Sequence, residues 1–238
     1  MTNEQKFLYI IKEFYNKIQN NDIVQDKSGV KVVELIAPRI ELNPMQPILN
    51  FNEIRTTPLK YCEKEIKWYE STDLNIKNWV DDIKIWKDVS DKDGYINSNY
   101  GWCIFHKDNY NQYENCLKEL IEKPFSRKAI MYYTRPSMWE DWNKNGMSDT
   151  ICTLNTMHMI RNNKLYYIIN QRSLDFYISG LGSDLYWHCW VYNKLYIDLL
   201  FHYSNLEIGS LIWLPLSCHV YESHWNKIKE IIKSYGLA

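Results

Sequence analysis

Apolar residues along this chain recur at two spacings, one near a helical turn and one of two residues, and the switches between them mark out the elements. Phe7, Ile10, Ile11, Phe14 and Ile18 share a helical face and stop near Asn20 and Asn21, so the chain is expected to open with an amphipathic helix. Residues 30–36 are β-branched and bounded by Gly29 and Pro38, which predicts a strand. Residues 61–70 and 110–123 read as helices; in the second, Tyr113, Cys116, Leu117, Leu120 and Ile121 fall on one face. A short strand is expected over 129–134. Leu185, Cys189, Tyr192, Tyr196 and Leu199 predict a long helix over 185–200. A strand over 210–221 follows, and Ser223 is expected to cap a last helix that runs to Lys233.

Two β-rich runs between residues 150 and 173 are separated by Arg161-Asn162-Asn163-Lys164, where the two asparagines suit the positive φ of a tight hairpin turn. That turn sets a register in which facing residues have numbers summing to about 325, placing Cys152 across from Ser173 and next to Arg172. A slip of one residue would exchange the two faces. Strands and helices do not alternate strictly, and no repeat, low-complexity tract or linker interrupts them. An α+β fold in one domain over 1–238 is the expectation.

Composition narrows the function classes. With 238 residues and 45% apolar content, the chain can bury one sizeable core. Its net charge of -1 supplies no global attraction to nucleic acid or to an anionic membrane. The first residues lack a basic-then-apolar leader pattern, and no apolar run approaches the roughly 18 residues of a membrane span. A soluble, cytoplasmic protein with no direct nucleic-acid or membrane partner is therefore expected. Six cysteines are scattered without a C-x-x-C pair, against both a disulfide scaffold and a zinc ribbon. His188, Cys189, Cys218 and His219 could be drawn together as metal ligands, but adjacent residues send their side chains in different directions, and no metal is expected.

Taken singly, the reactive-looking residues carry little. Cys152 beside an arginine could be an activated thiol, and it could equally be an inert buried one. Glu65, flanked by Lys64 and Lys67, has the pattern of a solvated surface carboxylate. His219 and Tyr221, two apart on a strand, point to the same side and could simply be core.

Taken in order, they form a pattern. Asp26-Lys27-Ser28-Gly29, then Lys64-Glu65-Ile66-Lys67-Trp68-Tyr69, Asn97-Ser98-Asn99-Tyr100-Gly101-Trp102, Ser126-Arg127-Lys128, Cys152-Thr153, Arg172-Ser173-Leu174-Asp175 and His219-Val220-Tyr221 resemble the thymidylate synthase family from end to end. Within the family, the segments 96–102, 133–138 (Tyr-Thr-Arg-Pro-Ser-Met) and 143–149 (Asn-Lys-Asn-Gly-Met-Ser-Asp) look most like the deoxycytidylate hydroxymethylase branch known from T-even bacteriophages.

The resemblance implies a homodimer in which a twisted mixed sheet packs against its partner, with helices on the other face. It implies a pyrimidine nucleotide as substrate, deoxycytidylate or deoxyuridylate, with 5,10-methylenetetrahydrofolate as co-substrate. Cys152 matches the nucleophile that adds to carbon 6 of the base, and Glu65 matches the glutamate that organises water and moves protons. Lys27, Arg172 and Ser173 match the phosphate-binding set, Lys27 replacing the arginine usual in the synthases. Arg127 and Lys128 match a basic pair that reaches the other subunit's phosphate site, here Arg-Lys instead of Arg-Arg, which keeps the charge and gives up one bidentate fork. His219 and Tyr221 match the pair on the deoxyribose hydroxyl, Trp86 and Tyr100 line the site, and Asp175 matches a folate contact.

The base is read at one position. The synthases carry an asparagine there, whose amide can accept and donate in the pattern uracil presents; Asp184 in that place can accept from an exocyclic amine and, when protonated, donate to ring nitrogen 3 of cytosine. The match needs one extra residue within 176–183, and without it Ser183 would stand at the site. Thr153 follows the nucleophile where the synthases usually have histidine, which favours water over hydride as the group that captures the methylene; it also suits any strand as a β-branched residue. The expected product is 5-hydroxymethyldeoxycytidylate, made in the host cytoplasm if the gene is a phage's. Rival readings are the same chemistry on deoxyuridylate, full methylation to thymidylate, and a non-catalytic nucleotide- or RNA-binding relative.

Overall fold

The computed structural model describes residues 1–142 and 144–238; Asn143, which opens the motif 143–149, lies outside them. In chain order the elements are α1 (Asn3–Gln19), β1 (Val24–Gln25), β2 (Lys31–Ile36), β3 (Ile40–Leu42), β4 (Asn50–Phe51), β5 (Arg55–Thr56), α2 (Leu59–Ser71), α3 (Lys84–Val89), α4 (Tyr100–Phe105) and α5 (Gln112–Glu122). There follow β6 (Ile130–Tyr132), α6 (Met138–Asp141), β7 (Thr153–Arg161), β8 (Lys164–Asp175), a π turn over Phe176–Gly180, α7 (Ser183–Leu200), β9 (Glu207–Tyr221) and α8 (Trp225–Ser234). The fold is α+β, as expected.

Among the described residues, seven strands form one mixed sheet in the order β1-β2-β9-β8-β7-β6, with β3 also pairing along β9. The β7–β8 hairpin turns on Asn162 and Asn163, both at positive φ (49° and 60°), the geometry that asparagine tolerates best after glycine. β8 and β9 run parallel. Parallel neighbours need a long crossover, and α7 supplies it. This helix is apolar nearly all round: Leu185, Trp187, His188, Cys189, Val191, Tyr192, Leu195 and Leu199 are buried, so it is a core element rather than an amphipathic cover. Tyr196, expected on its core face, is only half-buried.

Alternation along the strands separates two faces. Thr156, His158 and Ile160 of β7 are buried beneath the helices, while Met157 and Met159 are half-buried on the opposite side. Tyr166, Ile168, Ile212 and Leu214 continue that second face as a broad apolar surface. No described helix is long and apolar enough to cross a membrane.

Two local expectations are corrected. Ser223 does not cap the last helix: residues 222–224 form a 3-10 turn, α8 begins at Trp225, and the Ser223 hydroxyl lies against His224 Nδ1 at 3.4 Å. The hairpin register also changes near its open end, where Leu154 is an extra residue on β7; Asn155 pairs with Asn170, but Thr153 pairs with Gln171. Such a bulge shifts the pairing by one residue beyond it.

The helix α4 lies so close to α2 that only glycine fits at 101. A Cβ there would overlap the Tyr69 carbonyl. Gly101→Ala should therefore cost about 3 kcal/mol in urea unfolding, whereas alanine at exposed Gly146, where the added carbon meets open space at φ 87°, should show only the smaller backbone penalty.

Candidate active site

The bulge at Leu154 decides the surroundings of Cys152. The Arg172 N–H donates to the Cys152 carbonyl at 2.9 Å, so Cys152 stands opposite Arg172, not opposite Ser173 as the turn alone predicts. The Arg172 guanidinium folds back along the segment that leads to Cys152, donating from Nε to Ile151 O (3.0 Å) and from Nη2 to Thr150 O (2.7 Å), with Nη2 3.6 Å from Cys152 Sγ. Withdrawal from water pushes the Cys152 thiol up to about 11; Arg172 opposes the rise, and Asp184 and Asp149 add to it. Ser173 is half-buried beside Arg172, facing Ser217 of β9.

Glu65 is not the surface carboxylate its flanking lysines indicate. Its helix α2 turns Cys62, Glu65, Ile66, Trp68 and Tyr69 inward, leaving Glu65 only 3% exposed. The Tyr61 hydroxyl, one turn earlier, donates to Glu65 Oε1 at 2.6 Å, and Trp86 Nε1 donates to the Tyr61 hydroxyl at 3.1 Å. Burial raises the carboxyl to about 8; Tyr61 pulls the other way, and the neighbouring Asp184 pushes up further. The Ser183 hydroxyl also faces Glu65.

Asp184, in the first turn of α7, turns the other way. Its Oδ2 accepts from Gln171 Nε2 at 2.8 Å, and Gln171 Oε1 in turn accepts from Trp213 Nε1 at 2.6 Å. Since Gln171 pairs with Thr153, this chain holds the Asp184 carboxyl beside the nucleophile's strand. Desolvation lifts it to about 6, the Gln171 bond working against that rise. The π turn before α7 matters here. Leu181 N–H donates to Phe176 O, five residues back instead of four, so the turn absorbs one residue more than an α-helical turn would.

Tyr100 reaches the same strand from α4. Its hydroxyl accepts from Thr153 N–H at 3.3 Å and lies 3.2 Å from Thr153 Oγ1. Behind Thr153, buried His188 approaches Oγ1 at 3.5 Å through Nε2 and the Tyr167 hydroxyl at 3.3 Å through Nδ1. The sequence pointed to His188 only as a conceivable metal ligand, and not to Tyr61 at all. Their signal was there in helical spacing: each lies four residues from a site carboxylate, Asp184 and Glu65.

At the far end, His219 and Tyr221 share one side of β9 with their rings 5.1 Å apart, edge to face. Asp175 pairs with His219 across the parallel strands and accepts from Ile178 N–H at 3.0 Å. Val32 of β2 pairs with Tyr221, which brings the 26–29 turn alongside. That turn is built on Asp26 Oδ1, which accepts from Ser28 N–H (2.8 Å) and Val30 N–H (2.9 Å), with Gly29 at φ 79°. Lys27 rides exposed on it, 5.7 Å over the Trp142 ring. Trp86 packs edge-on to Trp68 at 5.0 Å.

Arg127 and Lys128 are the pair the chain does not bring in. They are exposed, just before Ala129, whose carbonyl accepts from His158 N–H. His158 is six residues along β7 from Cys152, a separation of roughly 20 Å at the usual strand rise. Among the described residues, no group of three or more His, Cys, Asp or Glu side chains is arranged to hold a metal ion.

Comparison with known proteins shows the family. The thymidylate synthase family model matches residues 5–235. The chain is 40% identical over 211 residues to the deoxycytidylate 5-hydroxymethyltransferases of Enterobacteria phages T4 and T2, an alignment covering 87% of this chain and 83% of each of theirs. It is 25% identical over 243 aligned positions to the thymidylate synthase of Francisella tularensis subsp. holarctica, covering 98% of this chain and 84% of that one.

Burial of Glu65 has a consequence for stability. In the unfolded chain this carboxyl ionises near 4.5, and in the fold only near 8. Stability is therefore full below the lower value, falls as pH rises between the two, and has lost the whole contribution above the upper one. Glu65→Gln, which can still accept from Tyr61, should stabilise the protein by on the order of 2–4 kcal/mol at mildly alkaline pH and by little at pH about 4, as read by thermal melts.

Proposed function

This chain belongs to the thymidylate synthase family, and we propose that it makes 5-hydroxymethyldeoxycytidylate from deoxycytidylate, water and 5,10-methylenetetrahydrofolate. The observation that carries the reading is Asp184: a carboxyl raised to about 6 beside Cys152, one oxygen held by Gln171, where an asparagine would suit uracil. The π turn supports Asp184 over Ser183 as the base reader, because it takes up the one additional residue that this alignment requires. Ser183, turned toward Glu65, is left to support that carboxylate.

Each residue then has a task. The Cys152 thiolate adds to carbon 6, which makes carbon 5 nucleophilic toward the one-carbon unit; loss of the carbon 5 proton then releases tetrahydrofolate and leaves an exocyclic methylene, and the thiolate departs from carbon 6 when water adds to that methylene. Arg172, beside the sulfur, favours the thiolate and meets the phosphate together with Ser173 and Lys27. Asp184 in its protonated form donates to ring nitrogen 3 and accepts from the exocyclic amine. Glu65, poised near neutrality through burial and Tyr61, passes protons by way of water at the base. His219 and Tyr221 hold the sugar hydroxyl. Asp175 offers an acceptor carboxylate and Trp86 and Tyr100 offer aromatic faces, a set whose chemistry fits the amino and ring N–H groups and the flat ring of a reduced pterin. The folate, when bound, supplies the one-carbon unit. Thr153, in place of the synthases' usual histidine, favours water as the group captured at the new methylene.

The chain acts as a homodimer. Two observations support this: the open sheet face carries Met157, Met159, Tyr166, Ile168, Ile212 and Leu214, and Arg127 and Lys128 stand far from their own Cys152, free to reach the phosphate in a partner. Sedimentation equilibrium should give twice the chain mass of 28.8 kDa.

Mass spectrometry of products tests the chemistry. Deoxycytidylate should gain one CH2O unit and deoxyuridylate should be turned over at least tenfold less well, a discrimination in the range of a single buried polar contact. Gain of CH2 instead would mean a synthase, and turnover of deoxyuridylate alone would remove Asp184 as base reader. Asp184→Asn should move the preference toward deoxyuridylate. Cys152→Ser should bind nucleotide without turning it over, which separates an enzyme from a binding relative.

A further inference from the structure

The segment 143–149 resembles the hydroxymethylase branch, yet none of its residues has a task in the reaction as described. Its last residue, Asp149, is 6% exposed, and its carboxylate is fully engaged by the loop that leads into α4. Oδ2 accepts from Asn97 N–H and from Ser98 N–H, both at 2.7 Å, and Oδ1 accepts from the Ser98 hydroxyl at 2.6 Å. The Asn97 side chain returns the contact through Nδ2, 3.3 Å from Asp149 O, while its Oδ1 accepts from Arg135 Nη2 at 2.9 Å. Two residues beyond Ser98, Tyr100 bonds Thr153. Segments 97–100 and 149–153 are thus joined at two points, Asp149 at one end and Tyr100 at the other, with Cys152 between them. The first segment is itself anchored to the Glu65 helix, since Asn99 Nδ2 donates to Trp68 O at 3.0 Å and Gly101 lies against the Tyr69 carbonyl.

We propose that Asp149 is a positioning residue: its three hydrogen bonds to residues 97 and 98 set the separation of Tyr100 and Cys152, and its charge balances Arg172 at the nucleophile. The first part follows from rigidity. A carboxylate held by two backbone N–H groups and a hydroxyl in a water-poor setting has a single arrangement; the backbone it grips ends two residues before Tyr100, and Asp149 itself stands three residues before Cys152. The second part follows from charge. Arg172, Asp184 and Asp149 are the charged groups that act on the Cys152 thiol; Tyr100 from α4 and Tyr221 from β9 are the other titratable groups facing it. Taking away the Asp149 charge leaves Arg172 less opposed and lowers the energy of the thiolate. Asp149 thus holds the site in shape and, after burial and Asp184, adds to what keeps the resting thiol protonated.

The inference rests on the deoxycytidylate reading for its turnover arm only. The test is Asp149→Asn, which keeps the shape and removes the charge and the hydroxyl acceptor, measured two ways. One is turnover of deoxycytidylate; the other is the pH profile of Cys152 alkylation by iodoacetamide, followed by peptide mass spectrometry. The two should move in opposite senses. Turnover should fall roughly 10- to 100-fold from misplacement of the pocket, while the alkylation midpoint, near 11 in the parent, should move to lower pH, with faster alkylation at mildly alkaline pH. Ser98→Ala keeps the charge and removes one hydrogen bond; it should lower turnover severalfold and leave the midpoint in place. A fall in turnover with the midpoint unmoved in Asp149→Asn, or undiminished turnover in either variant, overturns the proposal. Should Asp149→Asn not fold, full activity in Ser98→Ala would do the same. An inactive parent would count against the deoxycytidylate reading alone, because the alkylation profile is measured without substrate.

Discussion

The site is organised by the pairing of the Cys152 carbonyl with the Arg172 N–H, and that pairing exists because Leu154 is an extra residue on β7. Without the bulge, the Asn162-Asn163 turn would set Ser173 against Cys152 and send the guanidinium elsewhere. With it, Arg172 runs back over the carbonyls of residues 150 and 151 and reaches the sulfur. Two further contacts are set at the same point: Gln171 falls opposite Thr153, and so its amide can hold Asp184. A single inserted residue thereby brings the Cys152 thiol, the Arg172 guanidinium and the Asp184 carboxyl together, the re-aiming of side chains for which bulges are known.

Around the thiol the charge is set by buried acids. Glu65, Asp184, Asp149 and Asp175 are all held above the ordinary carboxylate range, each chiefly by withdrawal from water. The guanidinium of Arg172 stands beside the sulfur. Such a pocket stores protons and costs stability, and the fold tolerates it because the acids sit on different rigid elements: α2, α7, the segment before β7, and the end of β8. Two carboxyls near neutrality with separate partners, Tyr61 for Glu65 and Gln171 for Asp184, can serve separate roles although they feel each other's charge.

Much of the framework was legible from local pattern. The opening helix, the strand over 30–36, the helices around 61–70 and 110–123, the Asn-Asn hairpin and the long strand ending at Tyr221 all appear where apolar periodicity and turn residues put them. Failures were those of context. Ser223 has the right chemistry for a cap, but Tyr221 to His224 turn as a 3-10 segment and the helix starts later. Glu65 between lysines has the look of a solvated residue until Tyr61, Trp86 and Asp184 close over it.

The sequence by itself determined the elements, the turn and the family, because these depend on spacing along the chain and on ordered motifs that persist without coordinates. The tertiary structure decided the pairing of Cys152 with Arg172, the π turn that carries Asp184 to the pocket, and the grip of Asp149 on residues 97 and 98. The physical reason is that register, burial and desolvation are properties of pairs of segments far apart in the chain. A one-residue bulge leaves the hydrophobic pattern almost unchanged while altering every contact beyond it.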